Sequence, residues 1–180
     1  MSHTYNKTLI HIISPITLTH CILPMTPAIN LAKKLKLNYQ IHEYEHDPNH
    51  PSFGLEAAEK MGVEPARVFK TLVGQGNVTG PVVFCIPVAA ELDLKQAARV
   101  SGNKSVALVH VKDLLGLTGY MRGGCSPVGM KKLFPTYFDA TMEGFDEVYV
   151  SAGLRGLQIK VNPKELADVV EAKFDPLTQK

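Results

Sequence analysis

The sequence predicts an α/β domain of the α+β kind, with short strands and short capped helices interleaved along one chain. Three observations predict it. Residues 68–73 and 81–89 are apolar runs too continuous for half-exposed strands and too short for helices, so both read as strands covered on two faces. Thr26-Pro27, Asp93 with Gln96, and Asn162-Pro163 with Glu165 are helix-start signals, each followed by apolar residues at helical spacing. A chain of 180 residues, 45% hydrophobic and 20% charged, makes one domain with a proper core, neither disordered nor fibrous.

The elements follow in order. Residues 1–24 carry one lysine and no carboxylate. Their apolar run is broken by His11, Pro15 and His20, which fits an N-terminal extension upstream of Met25 better than a secretory signal, and is too short and broken for a membrane span. The domain proper is expected over 25–180. Thr26 caps a first helix whose apolar stripe is Ala28, Leu31, Ala32 and Leu35, with lysines at 33, 34 and 36 at the favourable end of its dipole. A strand is expected over 39–44, then a polar connecting loop over 46–51, then a helix over 55–61 stopped by Gly62.

After Pro65 comes the strand that contains Lys70. The alternation puts Val68, Lys70 and Leu72 on one face and Phe69, Thr71 and Val73 on the other. An unpaired ammonium buried there would cost several kcal/mol or be forced neutral, so Lys70 requires an anion or a wet cleft. The run 81–89 is expected to be a central strand with Pro87 at its end, and Cys85 in it a packing residue. Asp93 and Gln96 have capping-box spacing ahead of a helix ended by Gly102. A strand over 105–110, a helix over 111–117, strands near 147–150 and 157–161, and a closing helix with Leu166, Val169 and Val170 toward the core complete the reading.

Two glycine-rich segments stand apart, 119–129 and 151–156. Consecutive glycines let backbone N–H groups approach a ligand closely, as an oxyanion site requires, although a plain turn has the same composition. Neither holds a nucleotide-binding glycine pattern, so no cofactor is implied. Cys21, Cys85 and Cys125 form no CxxC pair, and the seven histidines show no ligand spacing, so neither a disulfide framework nor a metal is expected and a reducing cytosol fits. The net charge of +2 is too small to announce nucleic-acid binding by itself, no DNA partner is expected, and Lys33, Lys34, Lys36, Arg122, Lys131 and Lys132 could meet phosphates or simply be solvated. Cys125 and Ser126 are conceivable nucleophiles, yet no histidine sits in a recognisable partner motif and G-x-S-x-G is missing. What remains is a lysine, backbone amides and small hydroxyls, a set that can polarise an ester without supplying a nucleophile.

Read together, Thr26-Pro27-Ala28, His46-Asp47-Pro48, Phe53-Gly54-x-Glu56-Ala57-Ala58-Glu59-Lys60, Phe69-Lys70-Thr71-Leu72, Gly119-Tyr120-x-x-Gly123-Gly124-x-Ser126-Pro127-x-Gly129-x-Lys131-Lys132 and Val150-Ser151-x-Gly153-x-Arg155-Gly156-Leu157 resemble the YbaK/EbsC family. These are free-standing relatives of the editing domain of bacterial prolyl-tRNA synthetases, and the likeness spans residues 25–174. The resemblance implies a mixed, barrel-like β-sheet surrounded by helices, and a cytoplasmic deacylase that hydrolyses tRNA(Pro) mischarged with cysteine, working beside prolyl-tRNA synthetase. It implies Lys70 as the essential lysine, and Tyr44, Phe53, Thr71, Gly123, Gly124, Ser126, Ser151 and Gly153 as substrate-binding positions, with the glycine-loop amides facing the substrate carbonyl. It also implies that the bound cysteine's own thiol attacks the ester, which makes Cys125 a bystander. Ser151 stands where alanine-editing relatives carry histidine, which favours cysteine. Ala152 and Leu154 depart from a frequent glycine and a frequent lysine, the second implying a weaker phosphate contact.

Overall fold

The computed structural model describes residues 24–179, so the expected N-terminal extension lies outside the described residues except for Pro24. The first helix, α1 (Pro27–Lys34), begins as expected: Thr26 Oγ1 accepts from Ile29 N–H, and Pro27 opens the first turn. Its buried stripe is Ala28, Ile29 and Ala32, while Leu35 is the exposed C-cap, so the core-facing stripe is rotated from the expected one. Helix α2 (Phe53–Met61) starts two residues before the expected 55, because the Ser52 hydroxyl caps it, and Gly62 ends it in the left-handed region. Helix α3 (Leu94–Val100) has half of the expected capping box. Asp93 accepts from Lys95 and Gln96 N–H, but Gln96 turns to Arg99 and the Asp93 N–H goes to Leu177. Helix α4 spans Val111–Thr118, and α5 (Pro163–Val170) is capped by Asn162 and buries Leu166, Ala167 and Val170.

The strands form two sheets. The larger, in the order β4 (Val106–Leu108), β2 (Phe69–Gly76), β3 (Gly80–Pro87), β5 (Thr136–Asp139), β8 (Lys173–Asp175), is mixed: β2 pairs antiparallel with β4 and β3, while β3, β5 and β8 are parallel. The smaller is an antiparallel ladder of β1 (Tyr39–Glu43), β7 (Leu157–Val161) and β6 (Val148–Leu154). An isolated parallel bridge, Val68 to Tyr149, joins them. The mixed sheet agrees with the expectation, but the strands divide into two sheets and do not pair into one barrel-like sheet.

Strand β3 is central, with Pro87 as its last residue, where no ladder donor is needed. Strand β6 runs through Ser151 and Gly153 to Leu154 and bulges between Ser151 and Leu154, so the expected turn over 151–156 narrows to Arg155-Gly156. Strands β5 and β8 had no counterpart in the sequence reading. Both are short and parallel, paired with partners far away in the chain, and local pattern carries little of that. The main core lies between the sheets and helices α1 and α5, around Phe69, Phe138, Val150, Ile159 and Leu166. Full burial of each such side chain contributes roughly 1.5–3 kcal/mol.

Candidate active site

The two sheets leave a gap along one edge of β2. Strand β4 pairs only with Gly74–Gly76, and the one backbone bridge to β6 is made by Val68, just before β2 begins. Between them the backbone alternation can be read from two bonds: Val88 N–H donates to Val68 O toward β3, and Val109 N–H donates to Val73 O on the opposite side, each at 2.9 Å. In an antiparallel ladder such directions alternate, so the peptide groups of Thr71 face the uncovered edge. A cavity of about 640 Å³ occupies this gap, within the roughly 300–1,000 Å³ usual for small-molecule sites.

Lys70 lies on this cavity, half-buried, and none of the ion pairs among the described residues involves it. Of the anion or wet cleft that the sequence requires, the structure supplies the cleft. Among the described residues the only lining carboxylate is Glu91, against the cations Lys70 and Arg122. Phe53, Thr71, Gly123 and Ser151 also line the cavity. The Thr71 hydroxyl lies 3.4 Å from the Cys85 thiol, and Ser151 Oγ accepts from Gly153 N–H at 3.1 Å.

The other expected binding positions lie outside the lining. Ser126 is fully buried and its hydroxyl accepts from Val128 N–H. Gly153 sits in the β6 bulge, packed under Tyr120 and Thr26. Gly124 is backed by the Leu154 backbone, and its N–H donates to Met121 O at 3.0 Å, so this amide is already used. Tyr44 belongs to a separate apolar cluster with Val68 and Tyr149; burial pushes its phenol up from the ordinary value.

The sequence reading missed Gln158, which pairs across the ladder with Ser151 at the cavity floor. Its buried Oε1 has no hydrogen-bond partner among the described residues, and such an orphan is expensive unless a ligand satisfies it. Its place beside Ser151 in a bulged hairpin was the only available signal. The loop over 46–51 does more than connect. Glu56 in α2, with no exposed surface, accepts from the Asp47 N–H and from His46 Nδ1 at 2.7 Å, which ties this loop to the helix that presents Phe53. Burial pushes the Glu56 carboxyl up, but these hydrogen bonds and the nearby histidines outweigh it, and the net shift is down.

Cys125 lines the cavity too, but burial pushes its thiol up to about 12. At neutral pH it is protonated and a poor nucleophile. Among the described residues no histidine lines the cavity, so none of them gives Cys125 or a serine a base there. No cluster of metal-ligating side chains occurs among the described residues, and no helix among them is long and apolar enough to cross a membrane.

A lysine beside a turned-in glycine loop, in a cavity without a nucleophile–base pair, sets this fold apart from ordinary serine or cysteine hydrolases, and residues 50–169 match the model of the aminoacyl-tRNA editing domain. The chain belongs to that family. Its similarity to EbsC of Enterococcus faecalis, assigned as a Cys-tRNA(Pro)/Cys-tRNA(Cys) deacylase, is 45% identity over 155 residues, covering 86% of this chain and 94% of EbsC. Among solved structures, a protein assigned as a trans-editing enzyme for prolyl-tRNA synthetase superposes with a TM-score of 0.74 at 25% identity, covering 87% of this chain and all of that one. A hypothetical protein at 22% identity shares the fold with a TM-score of 0.76, covering 86% of this chain and 100% of its own. Membership makes the chain an aminoacyl-tRNA editing enzyme, with a mischarged tRNA as substrate.

Proposed function

We propose that the protein is a trans-editing deacylase that removes cysteine from tRNA(Pro) in the cytoplasm, recruited beside prolyl-tRNA synthetase. The observation that carries the proposal is an unpaired, half-buried Lys70 in a cavity that offers amide donors but no nucleophile–base pair. Such a site can hold the ester and stabilise charge on its carbonyl oxygen, and must take the nucleophile from elsewhere. Cysteinyl ester brings its own. Its sulfur attacks the carbonyl carbon, a C–S bond forms, and the C–O bond to the ribose breaks. The thiol proton ends on the freed ribose hydroxyl, and the product is a cyclic thiolactone, which water opens to cysteine.

Lys70 holds the terminal adenosine oxygens and fixes the ester, Gly123 faces its carbonyl, and Phe53, Thr71 and Ser151 surround the aminoacyl group. Editing is needed because a synthetase pocket gains only about 1–3 kcal/mol per methylene-sized difference, and cysteine and proline are close in size. With a net charge of +2 and an exposed Leu154, intrinsic affinity for tRNA is modest, which assigns the choice of tRNA(Pro) to the synthetase complex.

The deciding experiment compares loss of cysteine from Cys-tRNA(Pro) and of alanine from Ala-tRNA(Pro), for the native protein and Lys70→Ala. Fast release of cysteine alone, abolished by the substitution, is the expected result. Comparable release of alanine would give an editing enzyme of wider range that does not use the substrate thiol. Equal background rates for both proteins would leave a non-catalytic tRNA- or synthetase-binding module.

A further inference from the structure

The segment Met121 to Gly124 is a tight turn closed by Gly124 N–H donating to Met121 O. Its third residue, Gly123, has φ +84°, whereas Arg122 is outside the left-handed region, which makes the turn type II. Types I and II share their outer residues and differ by a near reversal of the central peptide plane, here the one between Arg122 and Gly123. Glycine accepts both conformations, so the turn sequence does not fix that plane.

A contact from outside the turn does. Arg155, in the turn between β6 and β7, donates from Nε to Arg122 O at 2.9 Å, and its guanidinium lies over the Phe53 ring at 4.4 Å. Reversing the peptide would take this acceptor away and point the Gly123 N–H at the guanidinium, donor against donor. In a trans peptide the N–H is directed opposite to the C=O, so the Gly123 N–H points away from Arg155. Arg122, Gly123 and Phe53 line the cavity and Arg155 does not, so the peptide that Arg155 holds lies in the cavity wall. The space is closed as well: a Cβ on Gly123 would come within 2.8 Å of Phe53 and 2.9 Å of Arg155.

We infer that Arg155 is a positioning residue, which by holding the Arg122 carbonyl fixes the Arg122–Gly123 peptide so that the Gly123 N–H is aimed at the substrate oxyanion beside Lys70. The inference rests on the deacylase reading above and adds to it the device that keeps the donor in place. Gly124 cannot share the task, because its N–H closes the turn.

The test uses the full chain, its Arg155→Ala and Arg155→Lys variants, and Cys-tRNA(Pro), with kcat and KM separated, urea midpoints recorded, and the Gly123 amide followed by ¹H–¹⁵N NMR. Loss of one oxyanion donor lowers kcat by roughly 10²–10³, so a turn released to sample both planes is expected to lose about tenfold or more in kcat with KM little changed. The Gly123 amide resonance should move, added guanidinium should restore part of the rate in Arg155→Ala, and Arg155→Lys, which keeps a donor but loses the flat stack, should fall between.

An unchanged kcat with a raised KM would overturn the inference and make Arg155 a tRNA phosphate contact. A fall in kcat that tracks the urea midpoint, without guanidinium rescue and with the Gly123 amide unmoved, would overturn it in favour of plain stability. Absence of turnover by the native protein would refute the deacylase reading itself, while the Gly123 amide shift in Arg155→Ala would still decide the peptide orientation.

Discussion

The two glycine-rich segments look alike in sequence and do different things. Around 121–124, Gly123 takes a left-handed conformation that places a backbone peptide on the cavity, and its missing side chain leaves room for Phe53 and Arg155. Around 153–156, Gly153 and Gly156 are also left-handed, but they make room for packing: Gly153 under Tyr120 and Thr26, Gly156 against the Tyr44 carbonyl. One segment presents its backbone to the cavity, and the other lets the small sheet close onto the rest of the molecule. A glycine needed for a positive φ does not reveal which of these it serves until its neighbours are known.

The largest separation between the two segments should come from Gly123→Ala. A methyl group there meets Phe53 and Arg155 and disfavours φ +84°, so a displaced amide should cost roughly 10²–10³ in kcat. Single-turnover deacylation checks this, and activity near the native level would remove Gly123 from the site. Next is Glu56→Gln, which weakens the tie between the loop over 46–51 and α2 on the Gly156 side of the molecule. Loss of a hydrogen-bonded buried carboxylate should lower the unfolding free energy by about 1.5–3 kcal/mol, seen in the urea midpoint.

The acid limb of stability follows from the same carboxylate. Its folded pKa lies below the unfolded value, so its contribution is present above the unfolded pKa and is lost as pH falls through the folded one. The native protein should lose stability across the acidic carboxylate range, with a flatter acid limb in Glu56→Gln; identical pH profiles would exclude Glu56 as the cause. Gly153→Ala should act on stability by about 1–3 kcal/mol through backbone strain at φ +105° and contact with Tyr120, with kcat for the folded fraction nearly native. The smallest effect is expected from Cys125→Ala. Its thiol is protonated at neutral pH, so deacylation should persist, and loss of the rate would make Cys125 the nucleophile.

Much of the fold was legible along the chain because its signals are local. Thr26, Asp93 and Asn162 cap helices where the pattern placed them, Gly62 stops α2, and Pro87 ends β3. Leu35 and Gln96 were misread because tertiary contacts, not helical period or cap spacing, chose which face is buried and where a polar group bonds. Of the site, Lys70 could be singled out from one ammonium in an apolar strand, and Phe53, Thr71, Gly123 and Ser151 from resemblance. Gln158 and Arg155 could not be placed on the site, because their roles depend on which segment lies opposite.

By itself the sequence determined the class of fold, most of the helix starts and stops, and the demand for an anion or a wet cleft at Lys70, since periodicity, capping and the cost of a buried charge act over a few residues. The tertiary structure alone decided that the strands form two sheets with a gap at the β2 edge. It also decided that the Gly124 amide is spent within its turn, and that Arg155 reaches across from the β6–β7 turn to the Arg122 carbonyl. These are meetings of groups distant in the chain, and a hydrogen bond exists only where packing brings its donor and acceptor within about 3 Å.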